Sequence, residues 1–308
     1  MERVSLSPDG PEVSRLVWGA WRLADDPTLA DGAAARVRGV RHIIDRCLEL
    51  GITTVDHADI YGGYRCETLF GNALREAPGL RHRLELITKC GVCLTDDARP
   101  DTLVKHYDST AGHITASVER SLVNLATDTL DLLLIHRPDP MMDPDDTAAA
   151  LRGLREAGKI RHAGVSNCTP AQFELLQSRL DFPLVTNQIE VSPLHLAPFT
   201  DGTLDDCLRR RLRPMAWSPM AGGRLLRGSD ADAQRVRAAL HRVAQRHERA
   251  GVDQVALAWL LRHPSHMVPL IGTVKVGRIT AAVGALDLAL DRQSWFEIYE
   301  AGLGHEVP

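Results

Sequence analysis

Two periods of apolar positions alternate along this chain. Short apolar runs occupy residues 16–19, 51–55, 84–88, 130–135, 160–165, 184–187, 212–216 and 268–271. Runs this short, bounded by polar or glycine-containing segments, predict strands. Between them the spacing changes to that of helices. Residues 37–50 place Val40, Ile43, Ile44, Cys47, Leu48 and Leu50 on one face, and residues 66–75, 114–125, 147–157, 204–210 and 278–286 follow suit. Local punctuation agrees with this division. The helix over 147–157 stops at Gly158, a C-cap residue, and Thr169-Pro170 supplies an N-cap followed by proline at the first helical position.

Strand and helix units that alternate with no linker between them predict a single domain over residues 1–308. Its fold class is α/β, a (β/α)8 TIM barrel. Two further helices are expected between strands seven and eight, over 231–249 and 254–262. A C-terminal tail carrying Trp295-Phe296-Glu297-Ile298-Tyr299 has helical aromatic spacing, suited to capping the barrel or leaning over its mouth; packing alone is the plainer reading. A doubly wound open sheet would want a G-x-G-x-x-G turn after its first strand, and none is present there.

Composition narrows the function classes. The 308 residues are 44% hydrophobic and 25% charged, with a formal net charge of -4 and the two signs intermixed. That balance argues against nucleic acid or an anionic membrane as partner. The first ten residues lack the apolar core of a signal peptide, so a cytoplasmic location is expected. Six cysteines in a chain this long do not make a disulfide scaffold. Cys90-Gly91-Val92-Cys93 spells C-x-x-C without the second pair a zinc site would want, and reads first as two free thiols, with a redox role as the alternative. Modifying either thiol is expected to slow turnover mildly by displacing the neighbouring Lys89.

Candidate chemistry gathers at the strand ends. Asp56 and Tyr61 follow the second strand, Lys89 the third, His136 the fourth and Asn167 the fifth. In a parallel barrel that is the catalytic face. An Asp–Lys–Tyr–His group can protonate a carbonyl while hydride arrives from elsewhere. Taken singly, each residue has a bland explanation: a structural ion pair, a packed tyrosine, a core histidine. Their joint placement carries the argument. His57 and Asp59 invite comparison with metal ligands, but the H-x-H pair of metal-dependent barrel hydrolases is missing, so no metal is expected.

With these residues in hand, the chain resembles the aldo-keto reductases end to end. The motifs are Val-Asp-His-Ala-Asp-Ile-Tyr-Gly, Ile-Thr-Lys-Cys-Gly, Leu-Ile-His-Arg-Pro-Asp, Gly164-Val165-Ser166-Asn167, Asn187-Gln188-Ile189-Glu190, Ala216-Trp217-Ser218-Pro219-Met220-Ala221-Gly222-Gly223 and Ile271-Gly272-Thr273-Val274-Lys275. Lys105-His106-Tyr107-Asp108 and Arg137-Pro138-Asp139-Pro140 look like a bacterial subgroup of undefined substrate. The resemblance implies NADP(H)-dependent reduction of a small aldehyde or ketone, and monomer as the default state. Tyr61 would be the general acid, its pKa depressed by Lys89. Asp56 would hold Lys89, and His136 would orient the substrate oxygen.

Cofactor roles follow from the same resemblance. Ser166, Asn167 and Gln188 would bind the nicotinamide carboxamide, and Trp217 would stack on the ring. Ser218, Pro219, Met220, Gly222 and Gly223 would line the pyrophosphate. Ile271, Gly272, Thr273, Lys275 and Arg278 would hold the adenosine end with its 2′-phosphate. Gly19, Trp21 and Asp56 would lie near the cofactor. Ala282 stands where many members carry an adenine-facing Asn. Two competing readings remain at this stage. One is an NADP(H)-binding regulatory subunit that senses redox state and turns over little. The other is a metal-free isomerase or aldolase using Lys89 as a Schiff base.

Overall fold

The computed structural model describes residues 1–27, 29, 32–96, 99–247 and 250–308. A hairpin of β1 (Arg3–Ser5) and β2 (Glu12–Ser14) comes first, then β3 (Val17–Gly19), α1 (Ala33–Glu49) and β4 (Thr54–Asp56). A short turn, α2 (Tyr61–Tyr64), leads to α3 (Cys66–Arg75) and β5 (Glu85–Cys90). Two-residue strands β6 (Val92–Cys93) and β7 (His106–Tyr107) precede α4 (Ala111–Leu125) and β8 (Leu130–Ile135). Then come α5 (Pro144–Glu156), β9 (Ile160–Ser166), α6 (Pro170–Gln177), β10 (Leu184–Glu190), α7 (Thr203–Arg210) and β11 (Met215–Trp217). The chain ends with α8 (Arg224–Arg227), α9 (Ala231–Arg246), α10 (Val252–Arg262), β12 (Val268–Ile271), α11 (Val276–Val283) and α12 (Arg292–Leu303). The expected helix over 231–249 thus ends at Arg246, and Arg249 lies outside the described residues.

Eight strands close into a parallel barrel in the order β10-β11-β12-β3-β4-β5-β8-β9. Strand period explains which side chains fill it, because alternate residues point to opposite faces. Val17, Ile87, Leu132, Leu134, Val185, Met215, Val268 and Leu270 form one buried cluster inside the barrel. Their neighbours Trp18, Val55, Leu86, Leu133 and Ile135 belong instead to the shell packed against the helices.

Strand boundaries differ from the expected ones for local reasons. The second strand starts at Thr54 rather than at residue 51, because Gly51 (φ 79°) and the Ile52 N–H, bonded to Cys47 O at 2.8 Å, complete the C-terminus of α1. The seventh starts at Met215 rather than 212, since the Leu212 N–H closes α7 on Cys207 O and Pro214 has no N–H for a ladder. The last barrel helix begins at Val276 and tightens into a 3₁₀ turn at Gly284–Asp287.

Two hairpins were not foreseen. Val4, Leu6 and Val13 of the β1–β2 hairpin join the interior cluster and form the floor of the barrel. β6 and β7 pair within the long connection after β5, too briefly to leave a periodic trace in sequence. The C-terminal tail follows the packing reading. Trp295 of α12 stacks on Trp259 of α10 at 5.1 Å and 11°, and each indole N–H donates to the other's backbone carbonyl at 3.0 Å. Arg242 and Arg246 of α9 both pair with Glu297. No helix among the described residues is long and apolar enough to cross a membrane.

Candidate active site

The barrel's inward register continues past its apolar layers into a polar one. Two residues beyond Ile87 is Lys89; two beyond Leu134 is His136; two beyond Met215 is Trp217; two beyond Val17 is Gly19. Period two therefore sets these groups on top of the core, at the C-terminal ends of their strands. Asp56 is the last residue of β4, and Asn167 directly follows β9.

Lys89 is the hub, and only 1% exposed. Its ammonium donates to Asp56 Oδ2 at 2.7 Å, to His57 O at 2.7 Å and to Tyr61 OH at 3.0 Å. Burial pulls the ammonium towards neutrality, but Asp56 and Tyr61 outweigh it and hold Lys89 above its ordinary pKa. Tyr61 opens the α2 turn, which demands glycine just after it. Gly62 sits at φ 60°, and a Cβ there would meet Ala24 Cβ at 2.5 Å. His136 faces Tyr61 edge-on, ring centroids 6.0 Å apart. Burial, followed by the cations Lys89, Arg137 and Lys105, holds His136 well below the usual histidine value, so its imidazole is neutral at neutral pH.

One expectation is overturned. Lys89 does pull Tyr61 down, but burial pushes the phenol up more strongly and Asp56 adds to it, leaving Tyr61 above its ordinary pKa. A tyrosine removed from water keeps its proton, because the phenolate loses more solvation than one neighbouring ammonium restores.

The residues expected at the cofactor form a connected rim with internal bonds. Ser166 Oγ donates to Gln188 O at 2.9 Å, Asn167 Nδ2 donates to Ser166 Oγ at 2.8 Å, and Trp217 Nε1 donates to Asn167 Oδ1 at 3.0 Å. The Gln188 amide nitrogen donates to Asp56 Oδ1 at 2.8 Å, so Gln188 also belongs to the Lys89 network. Ser218 Oγ accepts from the Gly222 N–H at 3.0 Å, and Gly222 and Gly223 sit at φ 66° and 99° between half-buried Met220 and α8, with Pro219 buried. The glycines here serve a left-handed turn.

At the eighth strand, Ile271 ends β12 with its side chain in the outer shell, and Gly272 approaches Gly19. Thr273 Oγ1 accepts from the Lys275 N–H at 3.2 Å, just before α11. Lys275 and Arg278 are exposed and have no ion pair among the described residues. Ala282 is buried in the outer shell, so that position packs. Trp21 lies apart from the network, 57% exposed.

Sequence reasoning missed two features, the placement of Arg137 and a pair of buried carboxyls, while its expectation of free cysteines agrees with the structure. Arg137 lies over the Trp217 ring at 5.2 Å. Asp59 and Glu67 are buried carboxyls behind β5; the available signal was Glu67 falling on the apolar stripe of its helix. All six cysteines are free and buried. Burial pushes the Cys90 thiol well above its ordinary pKa, so the expected thiol sensitivity meets a side chain that is both shielded and protonated.

The profile of the Aldo/keto reductase family matches residues 15–302. Aligned over 308 residues, the chain is 51% identical to Oxidoreductase YdhF of Escherichia coli (strain K12), covering 100% of both. It is 48% identical to the 6-dehydroglucose reductase of Agrobacterium fabrum, again over 100% of both chains. A solved thermostable aldo-keto reductase, Tm1743 in complex with the inhibitor epalrestat, superimposes with a TM-score of 0.81 at 25% identity, over 98% of this chain and 100% of that one. A family match across nearly the whole length, joined to full-length relatives near half-identical, places this chain in the Aldo/keto reductase family of oxidoreductases.

Proposed function

We propose that this protein, acting as one barrel domain, reduces aldehyde or ketone carbonyls to alcohols with NADPH. The observation that carries this reading is the buried Lys89 ammonium bonded at once to Asp56 at 2.7 Å and Tyr61 at 3.0 Å, with neutral His136 across from Tyr61. In this reading Tyr61 donates its proton to the carbonyl oxygen. Lys89 stabilises the phenolate as it forms, which lowers the barrier although the resting phenol is held above its ordinary pKa. Asp56 keeps Lys89 charged and in place. The neutral imidazole of His136 has one N–H to give, and aims the same oxygen.

The donor set suits the cofactor. Lys275 and Arg278, exposed and without an ion pair among the described residues, flank the N-terminus of α11 and would hold a 2′-phosphate. Trp217 would stack on the nicotinamide, its other face under Arg137. Ser166, Asn167 and Gln188 would meet the carboxamide by exchanging part of their internal bonds. When bound, NADPH supplies the hydride. A Schiff-base role for Lys89 is disfavoured, because a lysine held above its ordinary pKa is a poor nucleophile. A purely regulatory subunit would have no use for the complete proton-transfer set.

Two relatives carry the name 6-dehydroglucose reductase, at 48% and 37% identity, which makes 6-dehydroglucose the first carbonyl compound to test. Arg137 and Lys105 lie close enough to His136 to press on its titration, and are donors suited to an oxygen-rich substrate. The proposal is tested with Tyr61→Phe, using NADPH with 6-dehydroglucose and 4-nitrobenzaldehyde. The expected loss in kcat is ~10²–10⁴-fold with NADPH binding retained. A variant keeping more than about a tenth of wild-type kcat would remove Tyr61 from the acid role.

A further inference from the structure

Six buried side-chain atoms lack a hydrogen-bond partner among the described residues, and four of them lie in one layer: both ring nitrogens of His57, Asp59 Oδ1 and Glu67 Oε2. The layer runs behind the barrel wall, between the inward-facing site and helices α3 and α4. His57 packs edge-on against Phe70 of α3 at 4.5 Å. Thr88 of β5 donates to Glu67 Oε1 at 2.6 Å, and Ser117 of α4 donates to Asp59 Oδ2 at 2.5 Å. None of these side chains belongs to the Lys89 network.

Asp59 nevertheless touches both arms of that network. Its backbone N–H donates to Lys89 O at 3.1 Å, and it stands two residues before Tyr61, whose own N–H is bonded to Ala58 O at 3.1 Å. Ahead of it, the His57 N–H donates to Ile87 O at 2.8 Å, and His57 O accepts from the Lys89 ammonium. Main-chain bonds thus stitch residues 57–61 to β5. The Asp59 side chain carries the same turn across to α4. We propose that Asp59 is a positioning residue: held by Ser117, it fixes the turn bearing Tyr61 against the strand bearing Lys89. Enclosure in the layer favours the protonated carboxyl for this role. The positioning role rests on the roles proposed above for Tyr61 and Lys89.

The chemistry of the layer explains the proton. Asp59 and Glu67 are two buried carboxyls, each with one oxygen left without a partner. Around Asp59 stand Glu67 from α3, Arg120 from α4, Arg99 from the loop after β6, Cys90 from β5, Cys93 from β6 and Tyr64 from α2. Burial pushes Asp59 up to about 7, against the pull of Ser117, and Glu67 pushes it further; Glu67 is itself raised, by burial first. The sign follows from linkage. With a folded value of about 7 above an unfolded one of 3.8, the folded state holds a proton that the unfolded chain releases. The stabilisation is whole below 3.8 and is lost as pH rises through about 7, where a carboxylate is forced into the layer. The other site groups titrate elsewhere, since Tyr61 lies above its ordinary value and His136 well below its own.

The test compares wild type with Asp59→Asn, which accepts from Ser117 and cannot ionise, and with Ser117→Ala, which removes only the hydroxyl. kcat and KM for 4-nitrobenzaldehyde with NADPH are measured across the neutral range, together with Tm at each pH. In the wild type, kcat and Tm should both fall as pH climbs through about 7. Asp59→Asn should keep the acid-side kcat and lose that limb in both readouts. Ser117→Ala should lower kcat about 10-fold or more with KM little changed. The same limb in Asp59→Asn, or wild-type kcat in Ser117→Ala at every pH, would overturn the proposal. If the wild type reduces no carbonyl, the functional reading fails by itself, and the Tm difference between wild type and Asp59→Asn still decides the charge state of the layer.

Discussion

Lys275 and Arg278 show how a residue pair is read when nothing else claims it. Both are exposed, neither has an ion pair among the described residues, and Lys275 directly precedes the first turn of α11, where free N–H groups favour an anion. Charge-assisted hydrogen bonds contribute about 1.5–3 kcal/mol each, less where solvent screens them. Replacing both by alanine should raise the Kd for NADPH roughly 10-fold or more and leave that for NADH nearly unchanged. Titration of each cofactor by fluorescence checks this, and the NADPH preference should shrink as salt is added. Equal losses for both cofactors would mean that these cations do not read the 2′-phosphate. Asp56, Tyr61, Lys89 and His136 were all legible at this scale, since residue type and strand-end position are properties of the sequence. The direction of the Tyr61 shift was not, because it depends on how much water the fold removes from the phenol.

Among the elements, the most legible are those with local signals. Thr169-Pro170 announced α6, and the structure completes the cap: Thr169 Oγ1 accepts from the Gln172 N–H at 3.3 Å while Gln172 Oε1 accepts from the Thr169 N–H at 2.9 Å. The strand over 130–135 and the helix over 66–75 fall where their periodicity puts them. α12 was legible as a helix but not as to its partner. Trp295 stacks between Trp259 and Tyr299 and contacts Phe199 and Phe296, which ties the tail to α10 and to the loop after β10. Trp295→Ala should therefore destabilise the fold by about 2–4 kcal/mol, somewhat less than loss of a fully buried aromatic, because this ring is partly exposed. Denaturant unfolding would register the loss. kcat should change little, as no hydrogen bond links α12 to the Lys89 network among the described residues; a kcat loss without a stability loss would contradict this account.

At the scale of the whole molecule, the apolar floor and the candidate site occupy opposite ends of the barrel. The floor is the β1–β2 hairpin, and its Leu6 is fully buried in one cluster with Val17, Leu132, Val185 and Met215. The polar layer built on Lys89 lies beyond the opposite end of the same apolar column. Leu6→Ala should cost about 2–5 kcal/mol as a core truncation. Calorimetry should record a lower Tm, while KM for carbonyl and cofactor stays near wild type below the melting range. A selective rise in KM with Tm unchanged would mean that the floor is coupled to the mouth.

The sequence by itself determined the order of the eight strand–helix units, the barrel and the residue types of the site. These follow from periods of about 2 and 3.6 and from turn and cap signals, which act between near neighbours. Inward register was implied in the same way: once Ile87 and Leu134 point inside, Lys89 and His136 must do so as well. The tertiary structure alone decided which polar groups meet. Gln188 reaches Asp56 across 132 residues, Ser117 reaches Asp59 across 58, and the N-terminal hairpin finds the barrel floor. It also decided the state of those groups. Burial of Tyr61 outweighs the ammonium beside it, and burial raises Asp59 towards neutrality. Desolvation is set by everything that encloses a group, and the enclosing residues come from strands and helices far apart along the chain.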